Sequence, residues 1–168
     1  MIGKFSFGKS FGLLILAAVL ATAGLTTVGC NRERVLTDQF LSIPDRAWEV
    51  SHQPEMTVHI QDYKGPYQVY VNFRHSDQYR YSNIFLLIHR KQGFKKESER
   101  VELTLAEPDG RWTGSHSGNL YTSQQLVWSD YFFPDTGVFV LSLEQNMREN
   151  PLKHVVAAGL RIERSEFQ

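Results

Sequence analysis

The chain has 168 residues, of which 42% are hydrophobic, and its 18 basic residues balance its 18 acidic ones. This length predicts one domain with a short appendage, and the even, interspersed charge argues against a nucleic-acid groove or a polybasic membrane face. Only one cysteine is present, so no disulfide can form within the chain. The folded part must therefore be stable through packing alone.

The N-terminal segment differs in composition from the rest of the chain. Lys4 and Lys9 precede an uncharged apolar run, Leu13 to Val28, in the order that is typical of a secretory signal sequence. We predict that residues 1–29 are a cleaved signal peptide, because the run is shorter than the roughly 20 residues that usually span a bilayer. The alternative is an uncleaved anchor helix, since neighbouring uncharged residues lengthen the apolar segment.

The single cysteine, Cys30, lies directly after this run. The sequence "TVGC" that ends at Cys30 resembles a bacterial lipobox, in which the cysteine sulfur receives diacylglycerol and the new N-terminal amine is acylated after cleavage. Each buried methylene contributes ~0.8 kcal/mol, so three acyl chains anchor a protein with on the order of 30 kcal/mol. Cys30 is therefore predicted to be lipidated, the alternative being a buried or incidental thiol.

The segment after the cysteine is polar and is interrupted by prolines, which favour extended conformations in the residues before them. Residues 30–54 are predicted to be the lipidated N-terminus and a tether or arm, with Phe40 and Trp48 docked on the domain. An irregular N-terminal arm is the alternative. Residues 55–168 are then the folded domain.

The remaining sequence consists of short runs with the two-residue period of half-buried strands. Met56–Asp62 and Tyr67–His75 alternate in this way, and Lys-Gly-Pro between them predicts a hairpin. Ser82–Lys91 is apolar on both faces and is predicted to be a central strand. The other predicted strands are Arg100–Glu107, Gln125–Pro134, Thr136–Met147 and Ala157–Arg164.

Turn residues separate these runs. A Pro-Asp-Gly turn ends the strand that begins at Arg100, and a Pro-Asp-Thr-Gly turn follows Phe133. Helical periodicity is restricted to one candidate turn from Glu144 to Asn150. Seven to eight short strands at this spacing predict an all-β fold, an antiparallel β-sandwich of immunoglobulin-like or jelly-roll form.

Residues that carry chemistry are scattered. The six histidines show no close pairing and there is no second cysteine, so no metal site is predicted. The sequence "SHSG" at Ser115 has only half of a nucleophile elbow, which needs glycine two positions on either side of the serine. We predict no catalytic residue and no cofactor other than the covalent lipid on Cys30.

Aromatic residues are the strongest candidates for binding, because rings offer a large contact area at low entropic cost. Trp112, Tyr121 and Trp128 lie around one long loop, and Tyr79 and Tyr81 lie near another. Such rings can stack on a sugar or contact a protein. The alternative is that most of them belong to the core, where the polar group of a buried ring is satisfied.

Four segments of the chain resemble the gliding motility lipoprotein GldH family of the Bacteroidetes. They are "YRYSN" at Tyr79, "AEPDGRWTG" at Ala106, "SLEQNMREN" at Ser142 and "AGLRIER" near the C-terminus, in the expected order behind a lipoprotein signal. The resemblance implies an envelope lipoprotein of the gliding apparatus, which in that phylum is linked to type IX protein secretion. It implies no catalytic residue and no cofactor.

Polar residues in these segments add to the candidate partner contacts. Asn83 can bond to neighbouring backbone at a strand entrance, and Glu144, Gln145 and Arg148 can form either a polar network or a docking surface. The sequence "NRER" after the cysteine lacks the acidic run that surface-exposed lipoproteins of that phylum often carry. This departure favours an outer-membrane protein that faces the periplasm.

The leading hypothesis is a non-enzymatic, membrane-anchored β-sandwich that binds other envelope proteins of the gliding and secretion machinery. The competing hypothesis is a carbohydrate- or peptidoglycan-binding module that uses Trp112, Tyr121 and Trp128. An enzyme is the third, and it requires titratable groups that converge in one pocket.

Overall fold

The computed structural model describes residues 34–165, which form two antiparallel β-sheets and a short strand pair. In chain order, the strands are β1 (Val35–Asp38), β2 (Leu41–Ser42), β3 (Ala47–Trp48), β4 (Glu55–Ile60), β5 (Tyr67–Ser76), β6 (Asn83–Gln92), β7 (Lys95–Thr104), β8 (Ser115–Ser117), β9 (Leu120–Tyr131), β10 (Gly137–Gln145), β11 (Leu152–Lys153) and β12 (Val155–Arg164). The first sheet has the order β1-β12-β5-β9-β8, with β2 also paired to β12, and the second has the order β4-β10-β6-β7. The two-residue strands β3 and β11 pair with each other.

Alternation along the strands creates the single core between these sheets. In β4, for example, Met56, Val58 and Ile60 are buried while the residues between them are exposed. One hydrophobic cluster contains buried side chains from both sheets, such as Phe73 of β5 and Leu86 of β6. Each fully buried aliphatic or aromatic side chain contributes about 1.5–3 kcal/mol, so this shared layer holds the two sheets together.

The prediction of an all-β, antiparallel sandwich is confirmed. The seven strands predicted from the sequence correspond to the seven longest strands of the described residues, β4, β5, β6, β7, β9, β10 and β12. The predicted central position of Ser82–Lys91 is also confirmed, because β6 lies between β10 and β7. The Pro-Asp-Gly turn is present as well, with the Gly110 N–H donating to the Glu107 carbonyl over 2.9 Å.

The predicted hairpin between Met56–Asp62 and Tyr67–His75 is wrong. Strand β4 pairs with β10 in the second sheet, whereas β5 pairs with β12 and β9 in the first. Both strands bury one face in the same core from opposite sides, and this gives them the same alternation that hairpin partners show. The connection 61–66 crosses between sheets, which pack about 10 Å apart.

Two strand limits also differ from the expectation. Strand β7 begins at Lys95 rather than Arg100, because its first six residues are exposed on both faces and show no alternation. The candidate helical turn from Glu144 to Asn150 is absent: β10 continues to Gln145 and irregular turns follow. Within residues 34–165, the one helical turn is the 3-10 turn Pro44–Arg46.

The segment predicted to be a tether or arm is part of the β-structure. It supplies β1, β2 and β3, so the sheets begin at Val35 rather than at residue 55. Trp48 is completely buried and its indole N–H donates to the His52 carbonyl over 2.7 Å. Phe40 is half-buried, with the Arg74 guanidinium 4.8 Å above its ring. Strands of two to four residues are too short to show a period in the sequence.

The predicted signal peptide, residues 1–29, and the predicted lipidation site, Cys30, lie outside the described residues. No helix in the described range 34–165 is long and apolar enough to cross a membrane.

The arm crosses β12 closely at Gly159. A Cβ atom at this position would overlap the backbone oxygen of Gln39 and lie 2.8 Å from its carbonyl carbon. Hydrogen bonds on either side hold the arm there, from the Gln39 N–H to the Leu160 carbonyl at 3.0 Å and from the Ile43 N–H to the Val156 carbonyl at 2.9 Å. Glycine is therefore required for this contact.

We expect Gly159→Ala to push the arm away from β12 and to lower the free energy of unfolding by about 1–3 kcal/mol, the usual cost of overpacking. Urea unfolding measures the total effect, and amide hydrogen exchange at Gln39 and Ile43 measures detachment of the arm. Gly118→Ala is the control: nothing lies within 4 Å of the added carbon, so its cost comes only from the φ of +59° at that turn, far from the arm, and it should leave the exchange at Gln39 and Ile43 unchanged. Unaltered exchange in Gly159→Ala would contradict the assigned role.

Candidate functional site

The structure divides the predicted aromatic residues into two groups. The first group, which we call the Trp112 cluster, consists of the predicted Tyr79, Tyr81, Trp112 and Tyr121 together with His75, which the sequence did not single out. The Trp112 ring lies 4.6 Å from the His75 ring and 6.0 Å from the Tyr121 ring, and the Tyr79 and Tyr81 rings are 5.8 Å apart. These contacts bring together residues from three separate parts of the chain.

Strand register and one turn build the Trp112 cluster. His75 near the end of β5 faces Tyr121 near the start of β9 in the ladder. The turn that includes Gly110 leads the chain back, so that Trp112 bridges to Ala106. The loop between β5 and β6 supplies the two tyrosines.

Exposure within the cluster is uneven. His75 and Tyr79 are buried, whereas Tyr81, Trp112 and Tyr121 are half-buried. Burial raises the pKa of Tyr79 far above its ordinary value, and its hydroxyl donates to the Asn83 carbonyl over 3.2 Å. Tyr79 thus matches the alternative interpretation of a core ring with a satisfied hydroxyl.

Tyr81 links this end of the sandwich to the loop after β10. Its hydroxyl donates to the Glu149 carboxylate over 2.7 Å, and this hydrogen bond is the main cause that raises the pKa of Tyr81. The contact joins "YRYSN" to "SLEQNMREN", while Tyr79 and Trp112, 6.3 Å apart, join "YRYSN" to "AEPDGRWTG". Three of the four segments that carry the family resemblance therefore meet at one end of the sandwich.

Trp128 belongs to the second group and closes an edge of the sandwich. Its ring lies 5.1 Å from that of Tyr131, and the Arg90 guanidinium of β6 lies 5.0 Å from the Trp128 ring and 4.9 Å from the Tyr131 ring. The indole N–H donates to Glu99 of β7 over 2.8 Å. Such cation–π contacts, together with the hydrogen bond, tie β9 of the first sheet to the second.

The three rings of the carbohydrate hypothesis do not form one platform. Trp128 and Tyr121 are seven positions apart on β9, which is roughly 23 Å at ~3.3 Å per residue. No ring contact joins the two groups among residues 34–165. Trp112 and Tyr121 remain together, so only a smaller stacking surface is present.

The polar candidates also have separate partners. Gln145 is completely buried and its amide donates to the Glu149 carbonyl over 3.1 Å, while its oxygen accepts from the Met147 N–H over 2.9 Å. Asn83 donates to Glu102 over 2.6 Å.

Glu144 instead accepts from Gln53 over 2.6 Å on the outer face of the second sheet. Successive strand residues point to opposite faces, so Glu144 and Gln145 cannot share a network. Arg148 is exposed and takes part in neither set of bonds that the structure describes. Of the two alternatives for Glu144, Gln145 and Arg148, the described residues do not form the shared polar network, and the docking surface stays a prediction.

The outer face of the second sheet holds a cluster that the sequence did not predict. His89 lies with Nδ1 2.6 Å from the Ser98 hydroxyl and Nε2 3.0 Å from the Glu144 carboxylate. The three residues come from the adjacent strands β6, β7 and β10. Only the strand register brings them together, and no local spacing in the sequence indicates it.

The hydroxyl, imidazole and carboxylate have the order of a catalytic triad, but their surroundings differ from those of a catalytic serine. Ser98 lies within a straight, exposed edge strand, whereas a nucleophile elbow is a sharp strand-to-helix turn. The adjoining groove of about 410 Å³ is lined by Lys91 and Lys96 among other side chains. The hydrogen bonds account for the cluster as a link between three strands.

Within the described residues, no group of three or more His, Cys, Asp or Glu side chains is placed to hold a metal ion.

The described residues define an all-β domain, and the signal predicted before it indicates a membrane lipoprotein. Comparison with known proteins agrees with this class and narrows it. The chain belongs to the GldH lipoprotein family, whose model matches residues 35–162. The match begins with β1, so it includes the arm, and the resemblance noted in the sequence is confirmed.

Two relatives illustrate the family. The gliding motility lipoprotein GldH homolog of Christiangramia forsetii is 30% identical over 146 residues, covering 82% of this chain and 88% of the relative. The gliding motility lipoprotein GldH of Flavobacterium johnsoniae is 27% identical over 167 residues, covering 94% and 98%. No solved structure matches the chain. Membership of a lipoprotein family associates the protein with a membrane of the cell envelope.

His75 is held in its neutral form within the Trp112 cluster. Its Nδ1 lies 2.9 Å from the Ser76 carbonyl, which can only accept, so Nδ1 carries the proton. Its Nε2 is buried without a hydrogen-bond partner among the described residues. Burial lowers the pKa of His75, and the Ser76 carbonyl offsets this effect only in part.

This lowered pKa makes stability depend on pH with a definite sign. The unfolded state binds a proton near pH ~6.5 and the folded state only at lower pH, so stability is full above ~6.5 and falls as the pH drops. We expect His75→Leu to reduce the loss of stability between pH 7 and pH 5, measured by urea unfolding. The exposed His116→Leu is the control and should keep the slope of the original chain. An unchanged slope in His75→Leu would contradict the assignment.

Proposed function

We propose that the protein is a non-enzymatic lipoprotein of the gliding apparatus, anchored by acyl chains on Cys30 and acting in machinery linked to type IX protein secretion. The observation that carries the proposal is the family match from β1 to β12, which spans the sandwich. The relatives named as gliding motility lipoproteins support it, since they align over most of both chains. The lipid on Cys30 is the sole attached group that this role requires.

The proposed location is the outer membrane, with the domain facing the periplasm. The support is the sequence "NRER" after Cys30, which has one acidic residue between two arginines rather than an acidic run. In this location the domain can reach envelope proteins on the inner side of that membrane.

The proposed partner surface is the end of the sandwich that carries the Trp112 cluster, which we call the distal end. Its support is the convergence there of three family-like segments through the contacts of Tyr79, Tyr81 and Trp112. Half-buried rings beside the exposed Arg148 combine apolar area with a cation, a combination that is frequent in protein interfaces. A protein partner fits this surface better than a long glycan, because Trp128 lies elsewhere.

Lipidation is tested with Cys30→Ala in the full chain. We expect the variant to lack the acyl mass in intact-protein mass spectrometry, to leave the membrane fraction or remain uncleaved, and to abolish gliding while its circular dichroism spectrum stays that of a β-protein. The physical reason is that the variant loses the acyl chains, which together anchor a protein with on the order of 30 kcal/mol. A fully functional Cys30→Ala strain would overturn the tethering role.

Partner binding is tested by cross-linking in intact cells, followed by identification of bound proteins. We expect Arg148→Glu to reduce the yield of cross-linked envelope proteins several-fold without loss of stability, because the side chain is exposed. Leu126→Ser is the control, since this exposed residue lies in the middle of β9, away from the distal end.

The carbohydrate-binding alternative predicts another result with Trp112→Ala. If that module is correct, glycan-array or peptidoglycan pull-down binding is present in the original chain and disappears in the folded variant. Our proposal expects no glycan binding to begin with. Glycan binding that is lost in Trp112→Ala would therefore favour the alternative.

A further inference from the structure

Exposed large hydrophobic side chains are concentrated at one end of the sandwich. Within the described residues they are Tyr63, Phe94, Leu126, Phe132 and Val138. All except Leu126 lie in or beside the connections β4–β5, β6–β7 and β9–β10. Phe94 is fully exposed at the tip of the tight hairpin between β6 and β7.

Strand register shows that these connections share one end of the molecule, which we call the proximal end. In the first sheet, Tyr67 pairs with both Arg164 and Tyr131. In the second sheet, Ile60 pairs with Gly137. The loops 61–66 and 132–136 connect these strand ends from one sheet to the other.

Side-chain contacts hold the proximal loops together. Gln92 beside the hairpin donates to the Thr136 carbonyl over 3.1 Å. Arg164 at the end of β12 donates to the Asp62 carboxylate over 2.8 Å, so the β4–β5 loop is tied to the end of β12. The loops that carry the exposed rings are therefore held in place by hydrogen bonds to neighbouring strands and loops.

The chain also enters the fold at the proximal end. Val35 at the start of β1 pairs with Glu163 at the end of β12, and the Arg164 N–H donates to the Arg34 carbonyl over 2.9 Å. Cys30 is four residues before Arg34, and a chain of four residues spans at most ~14 Å even when it is fully extended, at ~3.6 Å per residue. Under the proposed lipidation of Cys30, this short connection keeps the proximal end near the bilayer surface.

Two of the three proximal loops carry positive charge, which favours contact with a phospholipid surface. Lys64 follows Tyr63, and Lys95 and Lys96 follow Phe94. Lysines beside exposed rings are typical of membrane interfaces, where the rings lie at the level of the headgroups. The third loop differs, because acidic residues lie near Phe132, and there the ring alone supplies the apolar contact.

We propose that the proximal end is a membrane-contact surface in which Tyr63, Phe94 and Phe132 lie in the interfacial layer of the bilayer. This inference rests on the lipidation of Cys30 in the proposed function and adds to it a fixed orientation. The sandwich then stands on the bilayer, with the distal end directed away from the membrane toward the protein partner.

The test uses the full acylated chain in vesicles of phosphatidylethanolamine and phosphatidylglycerol with brominated acyl chains. Phe94→Trp places a fluorophore in the proposed interface, and Gln78→Trp places one in the exposed turn after β5 at the distal end. We expect the emission added by Trp at position 94 to be blue-shifted and to lose several-fold more intensity to bromine quenching than that added at position 78. The chain without either substitution supplies the background from the native tryptophans.

The outcomes separate this inference from the proposed function. Acylated protein that floats with the vesicles but shows equal quenching at the two positions would overturn the membrane contact and leave the tether intact. If Trp at position 94 is not quenched in vesicles but this position cross-links to a protein in native membranes, the surface binds a protein and the membrane contact is overturned. A chain without acyl mass would overturn the tether and this inference with it.

Discussion

The burial of one shared layer of apolar side chains between the two sheets is the constraint on which the rest of the structure depends. The single cysteine cannot form an intrachain disulfide, and this layer together with the strand ladders holds the described residues in the sandwich. Because β4 and β5, and likewise β9 and β10, belong to different sheets, the chain crosses the core at the sandwich ends. Loops from both sheets therefore lie side by side at these ends. The clustered and exposed aromatic residues are found at the ends of the sandwich rather than on its faces.

The two ends differ in a way that fits the proposed tethered, partner-binding role. At the distal end, rings pack on one another and on a buried imidazole, and the Tyr81 hydroxyl bonds to the loop after β10, so this surface is pre-organised. A pre-organised surface loses little side-chain freedom on binding, which favours a defined protein contact. At the proximal end the aromatic side chains are exposed singly on loops, two of them beside lysines, and they suit a fluid lipid layer that needs no exact shape.

Sequence patterns predicted the long strands well because each buries one face, and alternation records burial directly. They failed where burial does not alternate, as in the first half of β7, which is an edge strand exposed on both faces, and in the short strands of the arm. They also failed to predict which strands pair, since β4 has the same alternating sequence pattern that a hairpin partner of β5 would have. For the candidate site, the aromatic residues were found, but the separation of Trp128 from Trp112 and the contact between Ser98, His89 and Glu144 follow from strand register, which no local pattern contains.

In the proposed function the arm joins the lipid anchor to the core, and its geometry determines how a load on that lipid reaches the fold. Under the proposed orientation, a force applied at Cys30 is transmitted to the domain at Val35 and acts along β1. Hydrogen bonds in an antiparallel ladder are perpendicular to the strands, so such a pull shears the bonds between β1 and β12 together instead of opening them one at a time. Beyond β1, the close crossing at Gly159 and the burial of Trp48 resist the same displacement. The inclusion of the arm in the matched family region is consistent with this role, because an arm that merely spaced the domain from the membrane would need neither the ladder nor the glycine.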